Sequence, residues 1–318
     1  MTYWRAAGRA SRIGSAAIAI LAFLSCASAK ADDPEGYQRE ALTWGSVERS
    51  FLAHVPPGTD GTERLPLVIM LHGAGGSAAA FARETAIAPA ADAQHMLVVV
   101  PDGTGDTPDR LSWNAHFCCG VPITRNIDDI GFIGAVIDRV AAERAIDRAR
   151  IYAAGMSNGA MLAYQIAAAH PQWLAALAAV SGTIGGTDRD GNPFVIAKPD
   201  MPVAVLIMHG RQDRYVLFEG GNSSLVRFPK RTNMAVADAL AFWSDVDGCD
   251  PVPVDSEPVP QTLRRLAYHG CRGGSEVMLW EIERGQHEWP ATDFPTPGGG
   301  ARSPAAEILA FFAEHGRE

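Results

Sequence analysis

Gly155-Met-Ser-Asn-Gly159 sets one serine between two glycines, directly after the apolar run 150–154 and directly before an alanine-rich stretch. A serine on such a strand-to-helix turn takes a strained backbone, and the glycines let strand and helix close up without a clash of Cβ atoms. The hydroxyl then projects at a helix N-terminus, as a nucleophile for acyl transfer must; a helix cap in a glycine-rich turn is the plainer alternative. A serine hydroxyl is a poor nucleophile near neutral pH, so this reading demands a base and an acid, in the chain order Ser, acid, His. His287, in Arg284-Gly-Gln-His-Glu-Trp-Pro290, follows the strand-like run 277–282 and precedes the last helix, which makes it the candidate base. His170 ends the nucleophile's own helix, His315 lies in the last helix and His269 lies between two cysteines, so none of these falls on a suitable loop. Asp213, in His209-Gly-Arg-Gln-Asp213, stands just beyond the strand 203–208 and is the candidate acid; a turn-forming role or pairing with Arg211 or Arg214 is the alternative. An acid there fixes the histidine tautomer and stabilises the imidazolium without being protonated itself.

The oxyanion formed on attack needs two preorganised N–H donors. Asn158, following the nucleophile, supplies one, and Ala74 in Leu71-His-Gly-Ala-Gly-Gly76 is the choice for the other. His72 reads as a structural hydrogen-bonding residue rather than an acid or base. Trp113 and Phe117, in Ser112-Trp-Asn-Ala-His-Phe-Cys-Cys119, and Trp289, two residues after the candidate base, are candidates to line the substrate cleft, with buried packing as the alternative. Asp128-Asp129 before an apolar helix reads as an N-cap pair. No CxxC, HxH or HExxH spacing occurs, so metal binding is not expected.

Elements must bring these residues together, and from about residue 45 onward strand and helix signals alternate, the pattern of a mostly parallel sheet with helices on both faces. The run 45–56 alternates apolar and polar residues like an edge strand or hairpin. Runs 65–71, 96–100, 150–154, 177–181 and 203–208 read as buried strands, and 78–93, 130–145, 158–169, 234–246 and 304–315 as helices. The proline-rich stretch 251–260 reads as a surface loop tied between Cys249 and Cys271. Neither a repeat nor a low-complexity linker divides the chain, which predicts one catalytic domain over 32–318.

Arg5, Arg9 and Arg12 precede an apolar run, 16–24, and the small-residue stretch Cys26-Ala-Ser-Ala-Lys-Ala31, so residues 1–31 read as a signal peptide. The run is shorter than the roughly 20 residues a spanning helix needs, and the mature protein is expected outside the cytoplasm, secreted or periplasmic, without a membrane span. Cys26 as a lipidation site is the competing reading. Removing 1–31 takes away three Arg and one Lys and no acid, which moves the formal charge from −9 to −13. Such a surface repels phosphate backbones, and nucleic acid is not an expected partner. Cys118, Cys119, Cys249 and Cys271 remain. Cys249 and Cys271 are the natural long-range disulfide, worth about 3 kcal/mol in the chain-entropy model; Cys118 and Cys119 stay open between a vicinal bond and separate partners.

As a set these segments resemble a known family. Leu71-His-Gly-Ala-Gly-Gly-Ser77, Pro101-Asp-Gly103, Cys118-Cys-Gly120, Asp128-Asp-Ile-Gly-Phe-Ile133, Gly155-Met-Ser-Asn-Gly-Ala160, His209-Gly-Arg-Gln-Asp213 and His287-Glu-Trp-Pro290 look like the secreted esterases related to poly(3-hydroxybutyrate) depolymerases and to bacterial feruloyl and acetylxylan esterases. The resemblance runs across about residues 45–316. It implies an α/β-hydrolase fold, a cofactor-free carboxylic ester hydrolase working through an acyl-enzyme, and Ser157, Asp213 and His287 as its triad, with a small or oligomeric ester as substrate. Gly285-Gln286 departs from the glycine pair common before the histidine. A serine peptidase of the same fold and a non-catalytic wall-binding protein are the competing functions.

Overall fold

The computed structural model describes Met1 and residues 33–223, 225, 230–255, 262–296 and 299–317. The signal-peptide reading of 1–31, and Cys26 with it, therefore lies outside the described residues apart from Met1. No helix among the described residues is long and apolar enough to cross a membrane.

Leu65–Leu71 is buried at all seven positions, which follows from helices covering both faces of its sheet. Leu67, Ile69 and Leu71 point into one hydrophobic core and Val68 and Met70 into the other, the period of two that a pleated strand imposes. Among the described residues ten strands form the main sheet, in the spatial order Gln38–Trp44, Val47–His54, Leu97–Pro101, Leu65–Leu71, Ile146–Met156, Ala176–Val180, Ala204–Gly210, Val277–Ile282, Leu263–Tyr268, Val254–Asp255. The strands from Leu97–Pro101 to Val277–Ile282 run parallel, and antiparallel pairs flank them on both sides. Helices Asp129–Glu143, Asn158–Ala169 and Val236–Asp247 contribute to the first core, and Ala78–Thr85, Ile87–Gln94 and Pro304–Glu314 to the second. This is the mostly parallel sheet with helices on both faces expected from the alternation of elements, and the α/β-hydrolase arrangement that the resemblance implied.

Two elements differ from the expectation. The helix expected over 78–93 is broken at Ala86, whose φ of 46° ends one helix and opens the next. Alanine favours a helix on either side of the break, so local propensity carries no trace of a turn that tertiary packing imposes. The segment between Cys249 and Cys271 is more than a surface loop: Leu263–Tyr268 pairs with Val277–Ile282 and extends the sheet, with Leu263 and Ala267 buried. Cys249 and Cys271 are bonded across it, and Cys118 and Cys119 are bonded to each other.

The hairpin Gln38–Trp44/Val47–His54 carries two buried arginines into a buried polar network. Arg39 pairs with Asp33 and with Asp102, and Arg49 donates to Asp129 at 2.8 Å and to the Asp102 carbonyl at 3.1 Å. Asp102 also accepts from the Ala78 N–H, so the helix after the Leu65–Leu71 strand is tethered to the neighbouring strand end. Asp128 caps its helix through the Gly131 N–H, as read from sequence, but Asp129 does not cap: fully buried, it holds Arg49 and accepts from the Asn114 N–H at 2.7 Å. Burial raises the Asp129 pKa, and Arg49 opposes the shift.

Breaking a buried pair strands an uncompensated charge at a cost of about 3 to 5 kcal/mol, whereas replacing both partners by apolar residues costs far less. Urea titration is expected to show that Asp129→Ala loses about that much stability, and that Arg49→Met with Asp129→Leu loses less than either single change. A double variant as unstable as the sum of the singles would contradict the pairing. Asp247, fully buried at the end of Val236–Asp247 and accepting from the Val203 N–H, has its pKa pushed up to about 6 by burial. A carboxyl that holds its proton more tightly folded than unfolded supports the fold below its unfolded pKa of about 4, and that support is lost as the pH rises to 6. Asp247→Asn is expected to remove roughly 2 to 3 kcal/mol of the decline between pH 4 and 7, read as the difference in unfolding free energy; an unchanged pH dependence would refute it.

Candidate active site

Ser157 sits between the carboxyl end of Ile146–Met156 and the first residue of Asn158–Ala169, with φ 54° and ψ −117°. That backbone region is costly for a residue with a Cβ and persists only where the surroundings enforce it. The enforcement comes from close approach: a Cβ on Gly155 would lie 2.4 Å from the Gly159 carbonyl carbon, and one on Gly159 would lie 2.1 Å from the Leu71 carbonyl oxygen. Both glycines are therefore required by space, and the turn is pinned by the Ser157 N–H donating to the Val180 carbonyl of the next strand.

The three side chains picked out from chain order meet at the carboxyl edge of the sheet. His287 Nε2 lies 2.9 Å from Ser157 Oγ, across 130 residues of sequence, and His287 Nδ1 lies 2.8 Å from Asp213 Oδ2. With Nδ1–H donating to the carboxylate, Nε2 is left as the acceptor for the serine proton, the tautomer general-base chemistry needs. Asp213 Oδ1 accepts from the Tyr215 and Val216 N–H groups. Its carboxylate is wholly buried, which pushes its pKa up, but hydrogen bonds from His209 and His287 outweigh burial and hold it well below the usual carboxylate range. The acid is therefore ionised throughout the neutral range, and its support for the fold is lost only as the pH falls far below the unfolded carboxyl value.

Neither the Asn158 nor the Ala74 N–H, the two donors expected from sequence, has a hydrogen-bond partner among the described residues. Asn158 is the first residue of its helix, where an N–H has no intrahelical acceptor and the dipole favours negative charge. Its buried side chain accepts from the Trp113 N–H at 2.7 Å and donates to the Trp113 and Cys118 carbonyls at 3.1 and 3.0 Å. On the other side of the nucleophile, a Cβ on Gly73 would lie 3.6 Å from Ser157 Cβ, so the Ala74 loop passes directly over the serine. His72 holds that loop: Nε2 accepts from the Gly103 N–H at 3.0 Å, and Nδ1 donates to the Gly73 carbonyl at 2.8 Å. Burial lowers its pKa to about 4, which leaves it neutral and structural, as the sequence suggested.

Two of the three cleft candidates take the packing alternative. Trp113 is fully buried, its indole N–H donating to the His72 carbonyl. Trp289 is 7% exposed and packs edge-on against Phe81 in the second core, where it anchors the loop carrying His287. Large flat side chains next to a site are as useful for holding its backbone as for touching a ligand, and sequence does not separate the two uses. Phe117, 4% exposed, packs with Ala115, Cys118, Met161 and Val216, stacks on Phe194 and also borders a cavity of about 400 Å³ with His116, Cys118, Cys119 and Arg231. A cleft of about 510 Å³, which includes Ala74, lies on the other side of Cys119, Gly120 and Val121. Sequence reasoning missed His209, Asn114, Phe194 and Arg231. His209 alone had a signal, its spacing of four residues before Asp213; Phe194 and Arg231 lie in segments without periodicity. Among the described residues, no group of His, Cys, Asp and Glu side chains is disposed to hold a metal ion.

Residues 49–195 match the family described as Esterase PHB depolymerase. Feruloyl esterase B of Piromyces equi is 28% identical over 239 residues, covering 75% of this chain, and the chain spans only 42% of that protein's length. Feruloyl esterase C of Emericella nidulans is 28% identical over 235 residues, 72% of this chain and 78% of the relative. In solved structures, an acetyl xylan esterase from Aspergillus awamori shares the fold with a TM-score of 0.58 at 13% identity, covering 87% of this chain and 99% of that one. Residues 49–195 thus carry the Esterase PHB depolymerase pattern, set in a sheet that shares its fold with a solved esterase of the α/β-hydrolase class.

Proposed function

We propose that the protein is an exported serine carboxylesterase in which Ser157 attacks the ester carbonyl, His287 relays the proton and Asp213 orients and charge-balances the imidazole. The observation that carries this reading is the unbroken pair of contacts from Asp213 Oδ2 to His287 Nδ1, 2.8 Å, and from His287 Nε2 to Ser157 Oγ, 2.9 Å. As Oγ bonds to the carbonyl carbon its proton passes to Nε2, and the oxyanion is received by the N–H groups of Ala74 and Asn158. The imidazolium returns the proton to the departing alkoxide, which leaves an acyl-Ser157. Water, deprotonated by the same nitrogen, then attacks the acyl carbon, and the acid departs as Ser157 recovers its proton.

Hydroxyalkanoate oligomers and feruloyl or acetyl esters of plant-wall sugars are the substrate classes that the family match and the feruloyl esterase relatives support. Phe117, which borders the 400 Å³ cavity, is the aromatic side chain we offer for contact with an acyl or alcohol group. Export is supported by the charged, then apolar, then small-residue order of residues 1–31 and by the Cys249–Cys271 disulfide, which persists in an oxidising compartment.

Removing a triad nucleophile lowers kcat by roughly 10⁶-fold, and that loss is expected for Ser157→Ala on p-nitrophenyl butyrate, together with loss of labelling by a fluorophosphonate probe. A rate equal to that of the unaltered protein would refute the nucleophile. Purified mature protein offered hydroxybutyrate oligomers, methyl ferulate, acetylated xylan and short nitrophenyl esters is expected to cleave the esters and leave amides of the same acyl groups intact. Faster amide turnover would point to a peptidase instead.

A further inference from the structure

His209 is a buried titratable side chain for which the acyl-transfer steps have no use. It is the penultimate residue of Ala204–Gly210, its side chain is entirely inaccessible, and Phe218 meets its ring edge-on with centroids 5.8 Å apart. Nε2 lies 2.8 Å from the Val216 carbonyl and 3.4 Å from Asp213 Oδ2, the same oxygen that accepts the His287 Nδ1–H hydrogen bond. Both neighbours of Nε2 are acceptors, so Nε2 carries the hydrogen. Nδ1 is then a buried lone pair with no partner among the described residues, an arrangement that costs free energy in a fold able to place an apolar side chain there.

We infer that His209 is a positioning residue for ester hydrolysis: its Nε2–H, shared between the Val216 carbonyl and Asp213 Oδ2, locks the orientation of the acid and limits its basicity toward His287. The inference rests on the triad reading above. The reasoning is geometric. Asp213 Oδ1 is held by two N–H groups of its own turn, Tyr215 and Val216, and Oδ2 by two histidines from different segments. Val216 takes part on both sides, donating its N–H to Oδ1 and accepting the His209 proton at its carbonyl, so one ring ties the turn to the strand and the carboxylate to the turn. Donors to Oδ2 compete for the charge that stabilises the His287 imidazolium. Without the Nε2–H of His209, the carboxylate is more basic, the imidazolium is favoured, and neutral His287 is reached only at a higher pH.

Other charged groups near the relay are the same with or without His209. On the acid's turn Arg211 and Arg214 are exposed, and Arg211 pairs with Glu219 and Glu281; on the histidine's loop Arg284 and Glu288 are exposed. The Tyr215 ring lies 5.2 Å from that of His287, and the nucleophile's turn adds only Ser157. A shift in the pH profile on altering His209 is therefore assignable to the acid.

The test compares full-length mature protein with His209→Leu and His209→Gln, the glutamine amide N–H standing in for Nε2–H. For His209→Leu the expected result is an acid limb of kcat/KM moved up by about 0.5 to 1 pH unit, kcat reduced about 10-fold or more and KM within about twofold. His209→Gln is expected to restore most of both. The far-downfield proton resonance of His287 Nδ1–H gives a second readout at fixed pH, expected to shift in the leucine variant and to return in the glutamine variant, and it needs only folded protein. A leucine variant with unchanged kcat and acid limb, or a glutamine variant that falls as far as leucine while giving the same resonance as the unaltered protein, would overturn the role. Fluorophosphonate labelling of Ser157 separates the two readings: if the unaltered protein is active yet unlabelled, the triad assignment fails, whereas labelled protein with a His209-independent profile sinks only this one.

Discussion

Everything at the carboxyl edge of the sheet depends on Ser157 staying in a backbone conformation that an isolated peptide would leave. With φ at 54° the residue stores strain, and the strain is held by what presses on the turn from both sides. The Leu71 carbonyl lies where a side chain on Gly159 would have to go, and the strand Ala176–Val180 takes the Ser157 N–H. Release would require the central parallel strands to separate, which means giving up two hydrophobic cores. The fold thus spends a small part of its burial energy on keeping one hydroxyl aimed outward.

Aim alone is insufficient, because the Asn158 side chain and the Gly73 carbonyl beside the serine are held from other segments. Arg49 on the edge hairpin reaches Asp129, Asp129 fixes the Asn114 N–H, and Trp113, the neighbour of Asn114, donates its N–H to the Asn158 side chain and accepts from that side chain's amide at its carbonyl. A parallel series runs from Arg39 to Asp102 at the end of its strand, whose neighbour Gly103 gives its N–H to His72, and His72 in turn holds the Gly73 carbonyl. Both series begin on the hairpin and end beside Ser157. Paired charges in a low-dielectric interior have few alternative geometries that leave every group satisfied. That is why ion pairs far from the chemistry bear on where two N–H groups point.

The order of elements and the meeting of Ser157, His287 and Asp213 were legible in the sequence, because each carries a local signature: runs of buried residues for strands, a glycine-bounded serine, and loop positions fixed by chain order. The hydrophobic pattern of Leu65–Leu71 and Ala204–Gly210 could be satisfied in only one way once helices covered both faces. Residues whose meaning depends on distant partners were not legible. Asp129 looks like its neighbour Asp128 in sequence, yet one caps a helix and the other holds an arginine that lies 80 residues earlier. For Trp113 and Trp289 the sequence left contact with a ligand and packing both open, and the structure buries both side chains. The break at Ala86 and the strand Leu263–Tyr268 arise from packing and pairing, for which no short window of residues holds the information.

Trp289, seated against Phe81 two residues after His287, separates two kinds of backbone. The relay residues hang from strand ends whose continuations are moored in the interior, while the wall formed by Phe117, Cys118, Cys119 and Arg231 belongs to excursions outside the main sheet. Lengthening, shortening or exchanging those excursions alters the shape offered to a ligand without disturbing the moorings. A lineage of such proteins is therefore free to diversify in what it accepts while its reactive geometry stands still.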